Sequence, residues 1–283
     1  MSVDNFTNDS AMMIAWERAL ETKREDALFQ DPLAERLAGT KGQTLSDNFG
    51  GMCTAFGLEG WPEFHKTWVA VRTRFIDDCI ADSASMGTFS QLVNVGSGMD
   101  TRPYRQECFS AFSGGAFQVD MEAIQTGKAK IFSDILGAPS PYSPVVDVTL
   151  DLLDTSTSLK DELCKTNFNA EKPAVFVSEG LVMYLGKEGK LKLLRDVSTA
   201  AAPGSVFVLQ FMDASESQRA KSTPEAMEAA LSVEEIMQTL PGLGWDQLQF
   251  SRFGDEKLSF GRFPTDKFEP QESFSFCVCT KVR

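Results

Sequence analysis

Five short apolar runs recur through the middle of the chain, at Gln91–Val95, Ala116–Met121, Val145–Leu150, Ala174–Ser178 and Ser205–Phe211, and this recurrence limits the possible fold more than any other feature. Each run has the length of one buried strand. Segments of helical character lie between them, at Glu122–Leu136, Ser156–Cys164 and Lys187–Ala202. Strand, helix, strand, repeated, predicts a parallel sheet with helices on both faces. Pro203-Gly204 is a clean stop between a helix and the next strand. The last third changes character. Ser232–Leu240 reads as a helix, while Asp246–Phe253 and Phe274–Val282 read as strands joined only by a loop. Such a pair is expected to run antiparallel at one edge of the sheet. Cys277 and Cys279, two apart in the last strand, point to one face and read as core filler.

The first ~90 residues are helical in pattern. Ala11–Ala27 carries Met12, Met13, Ala15, Trp16, Ala19 and Leu20 near helical spacing, and Asp31-Pro32 breaks that run and starts another that reaches Gly39. Trp68–Ile80 returns to helical character. Gly39–Gly60, rich in Gly, Ser, Thr and Asn, reads as a loop. Asp213–Glu228, polar and weakly periodic, reads as a lid. Both are expected to form mobile walls of a ligand pocket. The expected organisation is a helical cap over residues 1–90 and an α/β domain over 91–283, with a lid insertion around 213–230, as one structural unit.

Composition narrows the function. Twenty-seven Lys and Arg stand against 40 Asp and Glu, a formal charge of -13, which repels phosphate backbones and argues against nucleic-acid binding. No apolar stretch reaches the ~20 residues that cross a bilayer. The polar Met1–Ser10 segment does not read as a signal peptide. The six cysteines form no CxxC pair and have no His cluster, so no metal is expected and reduced thiols of a cytoplasmic protein are the plain reading.

The chemistry concentrates at strand ends. Asn94-Val95-Gly96-Ser97-Gly98-Met99-Asp100 follows the first strand, where glycines let backbone N–H groups approach an anionic ligand. Asp120 closes the next strand, 22 residues beyond Gly98, a spacing at which an acid accepts ribose hydroxyls. Asp151 follows the third strand, with Leu152 beside it, and Glu179 the fourth. Three acids at three successive strand ends suit S-adenosyl-L-methionine, which offers a ribose diol, an adenine amine and an ammonium group. A dinucleotide fingerprint needs a third glycine where this chain has Thr101, which disfavours an NAD(P) oxidoreductase. One of Arg72 and Arg74 is expected to hold the ligand's carboxylate and the other to be structural or exposed, because residues two apart on a helix face different ways. His65, the one histidine, reads as a surface or satisfied side chain, and Tyr184 as either an acceptor-orienting group or a pocket cap.

These residues carry a resemblance. Glu21-Thr22-Lys23-Arg24, Phe29–Ala34, Arg72-Thr73-Arg74-Phe75, Gly96–Arg102, Val119-Asp120 and Glu179–Leu185, in that order, resemble the leucine carboxyl methyltransferase family over roughly residues 11–212. The resemblance implies a class I methyltransferase fold. That is a seven-stranded, mostly parallel Rossmann-like sheet with helices on both faces, an antiparallel last strand and an N-terminal helical cap. It implies S-adenosyl-L-methionine as cofactor, with contacts drawn from Arg72, Arg74, Gly96, Ser97, Gly98, Asp100, Asp120, Met121, Asp151, Leu152, Glu179 and Gly180. Tyr184 is the candidate catalytic residue. The N-terminal part is more similar to the branch that methylates small molecules than to the branch that methylates a protein phosphatase. The expected partner is therefore a small-molecule acceptor offering a carboxylate or hydroxyl, with neither nucleic acid nor membrane involved. A non-catalytic module that retains the cofactor pocket is the alternative.

Overall fold

A computed structural model of the chain describes residues 3–55, 60–135, 137, 139–213, 230–262 and 274–283. Three helices come first, α1 (Val3–Thr22), α2 (Ala34–Ala55) and α3 (Trp61–Ser85). The sheet follows: β1 (Gln91–Val95), β2 (Gly115–Asp120), β3 (Val145–Thr149), β4 (Val175–Ser178), β5 (Val206–Met212), β6 (Trp245–Arg252) and β7 (Phe274–Lys281). Between strands lie α4 (Arg102–Arg105), α5 (Glu122–Ser133), α6 (Leu159–Cys164), α7 (Gly186–Ala200), α8 (Val233–Thr239) and α9 (Glu256–Ser259). Local chemistry fixes several starts. Ser158 accepts the Asp161 N–H to cap α6, and Ser232 with Glu235 forms a reciprocal capping box on α8.

The strands lie side by side in the order β3-β2-β1-β4-β5-β7-β6. β1 pairs parallel with both β2 and β4, and β7 runs antiparallel to β5 and β6, so β7 alone is reversed. The late hairpin is therefore as expected, although α9 and not a bare loop follows β6. The central strands β1, β4 and β5 are buried nearly throughout because both faces of the sheet are covered there. Alternate strand residues feed two cores: Val93, Phe117, Phe176 and Leu209 on one face, and Leu92, Ala116, Val175 and Val208 on the other. Cys277 and Cys279 sit in the first of these.

Register places the site. Val95 pairs with Val119 and with Ser178, and Asp120 pairs with Thr149. The loops that leave β1, β2, β3 and β4 consequently emerge at one edge, where the chain turns from building β1-β2-β3 to building β4-β5. Ligands of open α/β sheets bind in such a crevice.

The expected loop at Gly39–Gly60 is a helix through Ala55, bent at Gly39 (φ 56°, ψ -167°). Leu45, Asn48, Phe49 and Met52 recur at helical spacing and face the site, a stripe that the surrounding glycines and polar residues mask. Residues 56–59 of that segment lie outside the described residues, as does the expected lid beyond Asp213.

Candidate functional site

A cavity of about 690 Å³ occupies the crevice, lined on one side by α1 and α2. Every candidate contact named from sequence lines it except Arg74. Arg72 and Arg74 both lie within α3, so the helix sends them apart. Arg72 is 5% exposed, its guanidinium beside Gly180 and over the Trp68 ring. Arg74 is half exposed and spends Nε on Asp78 at 2.8 Å and Nη1 on the Leu28 carbonyl. The cavity is mostly apolar toward α1 and α2, where Met13, Ile14, Phe49 and Met52 line it with Trp68 and Phe274.

The loop after β1 is built for close approach. Gly96 (φ 74°) and Gly98 (φ 48°) hold left-handed conformations, and a Cβ on Gly96 would meet Leu181 at 2.9 Å. The Gly96 and Ser97 N–H groups both donate to the Val119 carbonyl, which ties the loop to β2. Asp120 then accepts from the Gly98 N–H at 2.7 Å and from the Met121 N–H at 2.8 Å. Burial raises the Asp120 carboxyl above its ordinary range, more than these N–H donors lower it. Asp151 is more open and caps its own turn by accepting the Leu153 N–H. Tyr184 lines the cavity and shares a 2.7 Å hydrogen bond with Ser10 of α1.

Glu179 lies in a buried ionic network, of which the sequence reading assigned Arg72 and Asp100 to the site but not Arg18, Asp31, Asp77, Arg102 or Arg105. Its carboxylate oxygens lie 2.8 Å from Arg72 Nε and 2.8 Å from Arg102 Nη1. The Arg72 contact is one of charge, because its N–H is out of line for a hydrogen bond. Arg102 also binds Asp77 and Asp100, Arg105 binds Asp77, and Arg18 binds Asp31. Burial alone would raise Glu179, but the charges of Arg102, Arg72 and Arg18 outweigh it and hold its carboxyl down at about 2. Asp100 is treated alike: burial pushes it up and Arg102, Lys128, Arg105 and Arg18 bring it below the ordinary value. The partners lie far apart in sequence, Asp77 and Arg102 by 25 positions. No local pattern announces them.

Two buried polar atoms on the cavity wall, Asn94 Oδ1 and Ser97 Oγ, have no hydrogen-bond partner among the described residues, and Arg72 Nε has only its charge contact with Glu179. A buried polar group left unpaired calls for an explanation, and on a cavity wall a ligand can supply the partner. The set fits an amino-acid head carrying an ammonium and a carboxylate. Beside it, Asp120 suits a ribose diol, and Met121, Leu150 and Leu152 flank Asp151 where a flat base would lie. A pyrophosphate fits poorly. Thr101 turns its hydroxyl to Asp31, and the helix it opens has four residues.

Comparison with known proteins agrees. A family model described as leucine carboxyl methyltransferase matches residues 11–198. A Parafrankia sp. protein, assigned by inference to the S-adenosyl-L-methionine-dependent methyltransferases, is 31% identical over 71% of this chain and 62% of its own length. The chain thus spans less than two thirds of that relative. A Mycolicibacterium vanbaalenii protein of the same description is 28% identical over 84% of this chain and 82% of its own. The crystal structure of a DUF574 family protein from Streptomyces avermitilis shares the fold, with a TM-score of 0.60 at 14% identity over 96% of this chain and 97% of that one.

Proposed function

The chain belongs to the leucine carboxyl methyltransferase family, whose relatives named above are assigned by inference to the S-adenosyl-L-methionine-dependent methyltransferases, and from that premise we propose that it transfers a methyl group from this cofactor to an oxygen of a small molecule. The observation that carries the reading is the convergence of Gly96–Gly98, Asp120, Asp151, Glu179 and Arg72 on one cavity with an apolar far end.

When bound, the cofactor supplies a methyl carbon on a positively charged sulfonium. The residues of this chain hold and screen. Arg72 takes the carboxylate, its guanidinium kept in place by Glu179, which Arg102 holds in turn. Asn94 Oδ1 and Ser97 Oγ complete the polar end. Asp120 accepts the ribose hydroxyls while the Gly98 and Met121 N–H groups keep its carboxylate oriented. The apolar wall from α1 and α2 keeps water from the transferred group. Alignment of this kind supplies up to ~7–11 kcal/mol of a displacement barrier.

Titration calorimetry with the cofactor, its demethylated product and NAD tests the cofactor assignment, with binding expected for the first two alone. Labelled-methyl transfer across small carboxylates and hydroxyl compounds tests catalysis. Binding without transfer to any acceptor would make the chain a non-catalytic module.

A further inference from the structure

His65 is the chain's one histidine, and it lines the cavity at the apolar end. Its Nδ1 lies 2.8 and 3.0 Å from the two carboxylate oxygens of Glu17 on α1. Glu17 is only 2% exposed. A carboxylate that accepts from one ring nitrogen fixes the tautomer and leaves the other nitrogen with its lone pair. Phe49 of α2 packs on the imidazole with ring centroids 5.1 Å apart and holds its plane. His65 Nε2 makes no hydrogen bond among the described residues.

The charges around this end of the cavity are informative. The cationic side chains that line it among the described residues are Arg18, Arg72 and Arg102. Arg18 is spent on Asp31 and the Met99 carbonyl, and Arg102 on Asp77, Asp100 and Glu179. Arg72 is the group assigned to the cofactor's own carboxylate. A carboxylate acceptor would therefore be buried without a counter-charge, which is costly, whereas a hydroxyl carries no such penalty. Phe49, Trp68 and Phe274 offer flat apolar surface beside it.

We infer that the acceptor is an aromatic hydroxyl compound and that His65, oriented by Glu17, is the general base for its methylation. This rests on the methyltransferase reading. The acceptor's O–H bond breaks as its proton passes to His65 Nε2, and its oxygen forms the new bond to the methyl carbon. The C–S bond to that carbon breaks, and its electron pair stays on sulfur. The imidazolium so formed is paired with the Glu17 carboxylate until solvent takes the proton.

One histidine makes the test clean. With nitrogen-labelled histidine, magnetic resonance of the neutral ring is expected to show the Nδ1–H tautomer. An Nε2–H tautomer overturns the base role. With the demethylated cofactor product bound, para-nitrophenol is expected to bind wild-type protein as the coloured phenolate, and to bind His65→Gln as the neutral phenol. The same colour in both proteins overturns the role. In turnover, His65→Gln and Glu17→Gln are expected to slow methylation of naphthol by ~10²–10⁴-fold, the usual range for a lost acid–base group, and of the more acidic para-nitrophenol far less. Equal losses on both phenols mean His65 is only structural. Transfer to naphthoate in place of naphthol, or to neither phenol while the cofactor binds, overturns the hydroxyl assignment. Failure of wild-type protein to bind the cofactor by calorimetry strikes the parent reading instead.

Discussion

Glu179 is ionised in a setting where burial alone would protonate it, and the two arginines at 2.8 Å make the difference. A carboxyl depressed in the folded state adds stability above its unfolded value, and that stability is lost as pH falls through the folded value. The window runs from the ordinary glutamate range near ~4.3 down to about 2. Acid titration of wild-type protein should therefore show a loss of stability across that window, and Glu179→Gln should flatten it. The Gln variant should also be less stable at neutral pH by ~3–5 kcal/mol, the cost of leaving a buried charge unpaired, here Arg72, since Arg102 keeps Asp77 and Asp100. An unchanged acid slope would remove Glu179 as its source. The arginines of α3 give a sharper contrast. Lys keeps the charge and loses the planar fork. Arg72→Lys should weaken cofactor binding by ~1.5–3 kcal/mol, the worth of a hydrogen bond to a charged group. Arg74→Lys should cost almost nothing, since Arg74 faces Asp78 and lies away from the cavity. Calorimetry on the two variants compares them directly, and equal losses would contradict the orientation of α3.

At the scale of elements, the sheet was legible in the sequence and α2 beyond Gly39 was not. The strands β1, β4 and β5 are buried on both faces, so their residues appear as mostly apolar runs that end in sharp turns. The strand-end acids followed, because strand ends in such sheets are where ligands bind. In α2 the low helix propensity of Gly39, Gly42, Gly50 and Gly51 hid a packing stripe that tertiary contact stabilises. The same lack of local signal hid the ionic network, whose members come from α1, α3, α4 and the loops between. One of these glycines, Gly42, has a packing reason. A Cβ on it would run into the Met12 carbonyl of α1 and approach Ala38 at 2.8 Å, so the two helices meet through a bare backbone. Gly42→Ala gains ~1 kcal/mol of helix propensity in isolation. Forcing the helices apart costs ~1–3 kcal/mol. The expected net is a loss, read as a lower denaturant midpoint with faster exchange of α1 amides. A stabilised variant would show that α2 docks less closely on α1.

At the scale of the molecule, the site is held at some expense to the fold, and binding should recover it. Asp120 is the measurable case, because burial raises its carboxyl and its ionised form is therefore a cost at neutral pH. Its two oxygens accept from Gly98 and Met121, and an Asn side chain has one acceptor oxygen for the two N–H groups. Asp120→Asn thus removes a buried charge but leaves one N–H unpaired, a loss of ~1 kcal/mol that roughly offsets the gain. The variant's stability without ligand should stay within ~1 kcal/mol of wild type. Cofactor at a hundred times its dissociation constant should raise wild-type stability by ~2.7 kcal/mol, since a ligand that binds only the folded state adds RT ln(1 + [L]/Kd). At that same concentration Asp120→Asn should show a much smaller gain, because a ribose diol would meet a neutral amide in place of a carboxylate. Thermal melts of both proteins with and without cofactor separate the two effects. A variant as strongly stabilised as wild type would place the ribose elsewhere in the cavity. A variant that fails to fold without ligand would mean that the charge of Asp120 holds the Gly96–Gly98 turn together and that its cost to the fold has been overstated.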